Sequence, residues 1–519
     1  MPASSYIPRF QKFAILAAAV LMGISNLHFL STQNLHPDEA YYWVWSRHLD
    51  IGYFDNSPFV AYVIRLFTTI GRNNEFWDRL PAFLGWVFFL YFVFKMVKLV
   101  YLDQRSAWLG VLVGTFVPLV ASGSHIMTHD IPMIFFATLT WFFLYLAIER
   151  EQKSAWYWGG VFFGMALFSK FQAVLIGLAV LTVLLTRSEK RRILLTKEPY
   201  LAVLIAFLMF LPVLYWNWQH HWAAFLWQSQ HGIHREINFH NELEYLGGQL
   251  GVFSLLFLVL LYYTIKRIIG WKKTSSGVAY LITSFLPVFI FFGLTSLTFA
   301  AEPNWPAVGY FPAVVFLSGE LAASLRELTT IKKRLLQIFI GLSIAFSIFL
   351  LSFVRYPQLI IELGWDMNPD LVLTNGTYGW DQLGKKVDSI LTKDFPSGPH
   401  PVPVFGDSYQ TAAELQFYVK KPVVVFTTRQ AHRSHFDFVT AAQISKFNGQ
   451  PGLLVLEGQV PANAARYFDG IVLTDTLTIS RFHHDIRNFY IYSFQKLNAK
   501  ALHKMAVDKP YGYPGEYPD

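Results

Sequence analysis

Two neighbouring carboxylates, Asp38 and Glu39, stand in the run His36-Pro37-Asp38-Glu39-Ala40-Tyr41-Tyr42, directly after a long apolar segment. A charge so close to hydrocarbon is costly, so its position asks for a reason. Such a carboxylate can take a proton from an attacking group. It can also simply begin a helix, since Asp favours the N-cap. Further along, Asp55 lies in Gly52-Tyr53-Phe54-Asp55-Asn56-Ser57-Pro58, and Asp130 in Thr128-His129-Asp130-Ile131-Pro132. Asp130 opens an apolar run, where a helix dipole favours an anion, and it too has a plain reading as a helix cap. Lys170, in Phe168-Ser169-Lys170-Phe171, and Arg235, in His231-Gly232-Ile233-His234-Arg235-Glu236, are cations of the kind that hold a phosphate and stabilise it as it leaves. A lone interfacial Lys also snorkels as a matter of course. His231 is of metal-ligand type, although a loop with several His is also met as mere polar surface. Glu302-Pro303-Asn304-Trp305-Pro306 adds an amide and a Trp suited to a membrane interface.

The elements that must position these groups are apolar. The chain has 519 residues, 54% of them hydrophobic and only 15% charged, with no cysteine. Soluble domains carry about a quarter charged residues, and the mean hydropathy of +0.35 agrees with a membrane protein. The absence of cysteine excludes disulfide frameworks and thiol chemistry. A net charge of +8 raises the question of nucleic acid, but the basic residues are scattered between apolar segments, which excludes a nucleic-acid patch.

Eleven segments have spanning length. The first, Phe13–Leu30, follows Arg9 and Lys12 like a signal peptide, but no small-x-small cleavage site follows, so it reads as an uncleaved span. The others are Leu80–Leu102, Ala107–Gly123, Ile131–Ile148, Ala155–Ser169, Phe171–Thr186, Tyr200–Trp218, Gly247–Ile265, Val278–Thr298, Ala307–Ala323 and Leu335–Phe353. Basic residues recur in every second connection, among them Arg187, Lys190, Arg191 and Arg192, then Lys272 and Lys273, then Lys332, Lys333 and Arg334. That alternation puts the N-terminus inside and all the candidate chemistry outside. Amphipathic pieces of the first outer loop, Tyr41–Leu49 and Phe59–Phe67, have the pattern of helices lying on the membrane surface. The expected organisation is a helical membrane domain over 1–354, with an outer loop at 31–80, and an outer domain over 355–519. Short β-branched runs at Pro403–Phe405, Val423–Thr427, Leu453–Leu456 and Gly470–Leu473 alternate with helical patterns such as Trp380–Leu391, so the second domain reads as α/β. The end, Asp508–Asp519, reads as frayed.

Carboxylates, a Lys, an Arg and histidines at one membrane face suit a reaction on a phosphorylated lipid. A transporter would need polar groups at mid-membrane, and the helix interiors hold almost none. A binding protein without catalysis is the remaining alternative.

The run Asp38-Glu39-Ala40-Tyr41-Tyr42, followed by Gly52-Tyr53-Phe54-Asp55-Asn56-Ser57-Pro58, resembles the first periplasmic loop of GT-C glycosyltransferases. The likeness lies with protein O-mannosyltransferases, lipid A aminoarabinose transferases and the sugar transferases of lipopolysaccharide core. It continues through His129-Asp130-Ile131-Pro132, Leu167-Phe168-Ser169-Lys170-Phe171, Trp216-Asn217-Trp218-Gln219-His220, Pro303-Asn304-Trp305-Pro306, Gly379-Trp380-Asp381-Gln382-Leu383 and Arg433-Ser434-His435-Phe436-Asp437. The resemblance implies an inverting transfer from a polyprenyl-phosphate sugar to lipid A, lipopolysaccharide or another envelope glycan, in a bacterial inner membrane with the second domain in the periplasm. A protein acceptor is the alternative. It implies Asp38, Glu39 and Asp130 as catalytic, with Asp38 the general base. It gives the donor phosphate to Lys170, Arg235, Asn304 and Trp305, and a divalent metal ion to Asp55 and His231. Asn56 stands where the aminoarabinose branch has a Lys, which removes one cation.

Overall fold

The computed structural model describes residues 8–230, 237–362, 372–395, 401–427, 434, 436, 444–460 and 464–499. Helices fill the chain as far as Glu362, and a sheet follows. Seven helices are long and apolar enough to cross a membrane, and three further bent pairs bring the number of candidate spans to ten. The eleventh expected segment is the helix Lys153–Leu167, whose 15 residues fall short of a full span. It packs tightly all the same. A Cβ on Gly160 would lie 2.5 Å from the Ala202 carbonyl oxygen, and one on Gly164 would lie 3.0 Å from the Ala206 Cα. Small residues four apart on both helices thus let the two backbones touch, the usual means of joining helices in lipid. One bent pair breaks by 67° between Gln104–Phe116 and Pro118–His125, because Pro118 offers no amide to continue the ladder and holds the residue before it extended.

Between the first two spans come two shorter helices, Pro37–Arg47 and Phe59–Ile70. The latter exposes Leu66 and Ile70 and buries Val60, Ala61 and Ile64, the two faces expected of an interfacial helix. The former departs from the expected surface position, since every residue from Glu39 to Ser46 is buried. The reason is a lid of protein. The C-terminal helix Tyr409–Tyr418 lies on it, with Tyr409 4.7 Å from the Tyr41 ring and Phe417 5.1 Å from Trp43. The Tyr418 hydroxyl accepts from the Leu35 amide at 2.8 Å and donates to Glu75 at 2.9 Å. One hydrophobic cluster therefore runs from the loop helix into the C-terminal domain without a break.

That domain holds a five-stranded sheet of β1 (Val402–Gly406), β2 (Val423–Thr427), β3 (Gly452–Leu456), β4 (Val472–Arg481) and β5 (His484–Phe494). Their order is β2-β1-β3-β5-β4. β1 pairs in parallel with β2 and β3, and β5 runs antiparallel between β3 and β4. Helix Tyr409–Tyr418 makes the crossover that a parallel β1/β2 pair requires. Helix Trp380–Asp394 buries Leu383, Val387, Ile390 and Leu391, the face its sequence predicts.

Candidate active site

A cavity of about 510 Å³ opens at one end of the helical bundle. Its polar side carries Asp38, Asp55, His129, Asp130, Lys170 and Asn304. Its apolar lining comes from Val174, Leu175, Phe291, Phe292, Phe299 and Trp305. Five chain segments far apart in sequence converge here.

Asp38 is brought by the loop helix. His36, not Asp38, is the N-cap, and it forms a capping box with Glu39. The Glu39 carboxylate accepts from the His36 amide at 2.8 Å, and the His36 ring accepts from the Asp38 amide at 3.3 Å. Such reciprocal bonds satisfy the free amides of a helix start. Asp38, on the second residue of the helix, is left half exposed at the cavity, 3.7 Å from His36 Nδ1.

Glu39, expected beside Asp38 in catalysis, does not line the cavity and is fully buried. Arg79 reaches it at 2.6 Å, and the Met127 amide donates to it at 2.8 Å. The same guanidinium donates to the carbonyls of Gln33 at 2.9 Å and Asn34 at 2.7 Å. Glu39 thus ties the loop helix to the second span and to the loop that leads to Asp130. Consecutive helical residues point about 100° apart, so one of the two carboxylates faces the cavity and the other the interior.

Asp130 is the first residue of its helix, and its side chain makes no cap. It receives Lys170 Nζ at 2.7 Å and Asn304 Nδ2 at 3.4 Å. Lys170 is 3% exposed, so this is no snorkelling surface charge but one half of a buried pair. The turn bearing Lys170 is fastened to the first loop, since Ser57 Oγ donates to the Leu167 carbonyl at 2.8 Å and the Phe59 amide to that of Phe168 at 3.2 Å. Two motifs of that loop and its neighbours also meet directly. A Cβ on Gly52 would lie 2.6 Å from the Trp216 ring, so only glycine fits there.

Tyr42 and His129 complete the polar side and were not singled out from the sequence. His129 Nδ1 lies 2.8 Å from the Tyr42 hydroxyl, and Nε2 lies 3.9 Å from Asp130. Burial first, and then Lys170, pull the His129 imidazole down to about 3 against the opposing effect of Asp130. It is therefore neutral at physiological pH. The Tyr42 phenol is pushed well up, by burial first and then by Asp38 and Asp55. Burial and the same two carboxylates also raise Tyr409, from the C-terminal domain. The signal for Tyr42 was its spacing, since residues four apart share a helix face with Asp38.

Asp55 accepts from the Tyr41 hydroxyl at 3.1 Å, and its carbonyl accepts from Gln228 at 2.8 Å. His231 and Arg235 lie outside the described residues. Among the described residues, no three His, Asp or Glu side chains gather in a way that could hold a metal ion. Trp305 sits on the short 3-10 turn Trp305–Gly309, and its indole donates to Glu302 at 3.2 Å.

A family profile described as dolichyl-phosphate-mannose-protein mannosyltransferase matches residues 55–216. Lipid A galacturonosyltransferase RgtD of Rhizobium johnstonii is 26% identical over 307 residues. The match spans 58% of this chain and 63% of that relative's length. Among solved structures, ArnT from Cupriavidus metallidurans superposes with a TM-score of 0.60 in the apo state and 0.62 bound to undecaprenyl phosphate. Each is 16% identical and covers 93% of this chain and 97% of the other. The apo oligosaccharyltransferase of Archaeoglobus fulgidus follows at 0.50, with 12% identity, over 89% of this chain and 71% of its own.

Proposed function

We propose, for a chain that has the GT-C fold and is related in sequence to glycosyltransferases, that it moves a sugar from a polyprenyl-phosphate donor to lipid A or a similar envelope glycolipid. The observation that carries this reading is a single cavity in which carboxylates and a buried Lys meet an apolar wall. A prenyl phosphate has the same two halves. Its tail lies against Val174, Leu175, Phe291 and Phe292, and its phosphate meets Lys170, with Asn304 and Trp305 beside it. Arg235, which lies outside the described residues, is the second phosphate contact that the resemblance implies. The name of the relative, a lipid A galacturonosyltransferase, and the undecaprenyl phosphate in one ArnT structure support the two substrate classes.

The acceptor hydroxyl loses its proton to Asp38 as its oxygen attacks the anomeric carbon from the face opposite the phosphate. The bond between that carbon and the phosphate oxygen breaks, and the polyprenyl phosphate departs with the electron pair. One displacement inverts the configuration. Asp130 holds Lys170 in place, and cationic stabilisation of the leaving phosphate supplies the main electrostatic gain. Neutral His129, bonded to Tyr42, fixes that side of the cavity without adding charge. A divalent ion is the finer reading of Asp55 and His231. Asp55 and His231, the latter outside the described residues, would hold it, and it would supply positive charge to the leaving phosphate.

The reaction face is the periplasmic side of a bacterial inner membrane in this reading. The basic connections of the helical bundle, such as Arg187 to Arg192 and Lys332 to Arg334, support it by their position between the other ends of the spans. The family profile favours a second reading with a protein acceptor.

Purified Asp38→Asn protein tests the mechanism, with a polyprenyl-phosphate sugar and lipid A as substrates. General-base catalysis is worth roughly 10²–10⁴-fold, so turnover is expected to fall by at least about 100-fold while donor is still retained. Near-normal turnover would remove the general-base role. Transfer to periplasmic protein in place of glycolipid would install the second reading.

A further inference from the structure

The seat of the C-terminal domain on the loop helix buries more acid than base. Helix Tyr409–Tyr418 lies on helix Pro37–Arg47, and Glu414, in its middle, is 1% exposed. Among the described residues neither of its carboxyl oxygens has a hydrogen-bond partner, and the same holds for Asp78 at the start of the second span. The charged groups that act on Glu414 are Glu39 on the loop helix, Glu75 and Arg79 on the second span, and Arg487 on β5. Tyr418, one turn further along its own helix, already gives its hydroxyl proton to Glu75. The rest of the surroundings are apolar, since helix Trp380–Asp394, β1 and β2 join the same cluster through Leu383, Val387, Val404 and Val425.

Both cations near Glu414 are engaged elsewhere. Arg79 is bonded to Glu39 and to the Gln33 and Asn34 carbonyls. Arg487 lies 3.6 Å from Glu457 and 4.2 Å over the Trp380 ring, and donates to the Tyr378 carbonyl at 3.4 Å. A carboxylate buried without a partner is so unfavourable that the group keeps its proton instead. Glu39, the anion of the Arg79 pair, adds like-charge repulsion. Burial first, and then Glu39, hold the Glu414 carboxyl well above its ordinary value, against Arg487 and Arg79. The same helix bears on the first cavity. The Tyr409 ring lies 4.7 Å from that of Tyr41, and the Tyr41 hydroxyl donates to Asp55, on the cavity wall, at 3.1 Å.

We propose that Glu414, seated as the neutral acid, is a proton latch that holds the C-terminal domain on the loop helix, and that loss of its proton to solvent releases the domain and the Tyr409 contact with Tyr41. The latch does not rest on the transferase reading above. Seated, the carboxyl keeps its proton. Lifted into water, it returns to the ordinary value of 4.5 and gives the proton up. The seat is therefore firmest below that value. From there each rise of one pH unit multiplies the opening constant by up to about 10, until the seated value is reached, and further alkalinity then changes nothing.

Hydrogen exchange of the Leu35 amide in the full-length protein in detergent reads the opening, because that amide is bonded across the seat to the Tyr418 hydroxyl. The rate is divided by the intrinsic exchange rate at each pH between about 5 and 8, so that only opening remains. In the wild type the opening constant is expected to rise by at least about 10-fold across that window, the yield of one proton over a single pH unit. Glu414→Gln keeps the shape of the neutral acid and has no proton to lose, so its profile should be flat. Glu414→Met, also without charge, takes its place if the Gln variant fails to fold. Amides of the span Ser276–Ser296 should stay protected throughout. A wild-type profile as flat as the variant's overturns the latch, and so does a variant profile that still rises, since another group then carries the proton. A Leu35 amide that opens in step with Ser276–Ser296 marks unfolding of the whole protein and overturns release of the domain. Full protection of Leu35 at every pH overturns it as well.

Discussion

Replacing Glu39 by Gln separates scaffolding from chemistry at the Asp38-Glu39 pair. Glu39 accepts from Arg79 Nε at 2.9 Å, from Arg79 Nη2 at 2.6 Å, and from the amides of His36 and Met127 at 2.8 Å each. Gln keeps one acceptor oxygen and turns the other into a donor aimed at donors. It also leaves the Arg79 guanidinium, 2% exposed, without its counter-charge. Breaking a buried ion pair from one side costs about 3–5 kcal/mol, against a total stability of about 5–15 kcal/mol for a typical domain. The expected outcome is a clear fall in the thermal midpoint of the detergent-purified protein, followed by tryptophan fluorescence. Turnover per folded molecule should fall far less than in Asp38→Asn, which should leave the midpoint near wild type. An unchanged midpoint with turnover lost about 100-fold, the scale of a missing proton acceptor, would refute this reasoning and return Glu39 to the chemistry.

Two further outcomes follow from the polar side of the cavity. Lys170→Met and Asp130→Asn should each weaken donor binding, and the double variant should lose less than the sum, with a coupling of roughly 0.5–3 kcal/mol for groups in contact; strict additivity would mean that the two do not act as a pair. For His129, the folded value of about 3 lies below the unfolded value near 6.5, so the unfolded chain alone takes up a proton between them. Its contribution to stability is therefore full above pH ~6.5 and declines as the pH falls toward 3, and His129→Gln should flatten a denaturation profile measured across that window. An unaltered slope would count against a neutral, buried His129.

The helical part of the fold was legible because spanning segments announce themselves by length and composition. The hinge at Pro118 and the 15-residue helix before Lys170 were harder, since they depend on where neighbours pack rather than on hydropathy. In the C-terminal domain the runs at β1, β2 and β3 could be read directly. β5 could not: its hairpin turns at Phe482 and His483, both at positive φ, where Asn or Gly would have marked a turn. The cavity itself was legible in its members and not in their partners. Asp38, Asp130 and Lys170 stood out as charges near hydrocarbon, but only the fold brings Lys170 onto Asp130 across 40 residues. The loop helix was misjudged as surface because nothing local to it reveals a cover that arrives from the far end of the chain.

That cover has a consequence in time. The Leu35 amide and the Tyr418 hydroxyl that clamp the loop helix are 383 residues apart. At ribosomal rates of ~5–20 residues per second, the helix is made roughly 20–80 s before the residues that shield it. Through that interval Tyr41 and Trp43 stand without the Tyr409 and Phe417 rings that cover them, beside a half-built membrane bundle. The nascent protein thus carries its stickiest aromatic face early and buries it last, so the loop helix is the point at which a truncated or stalled chain exposes apolar surface to aggregation and to quality control.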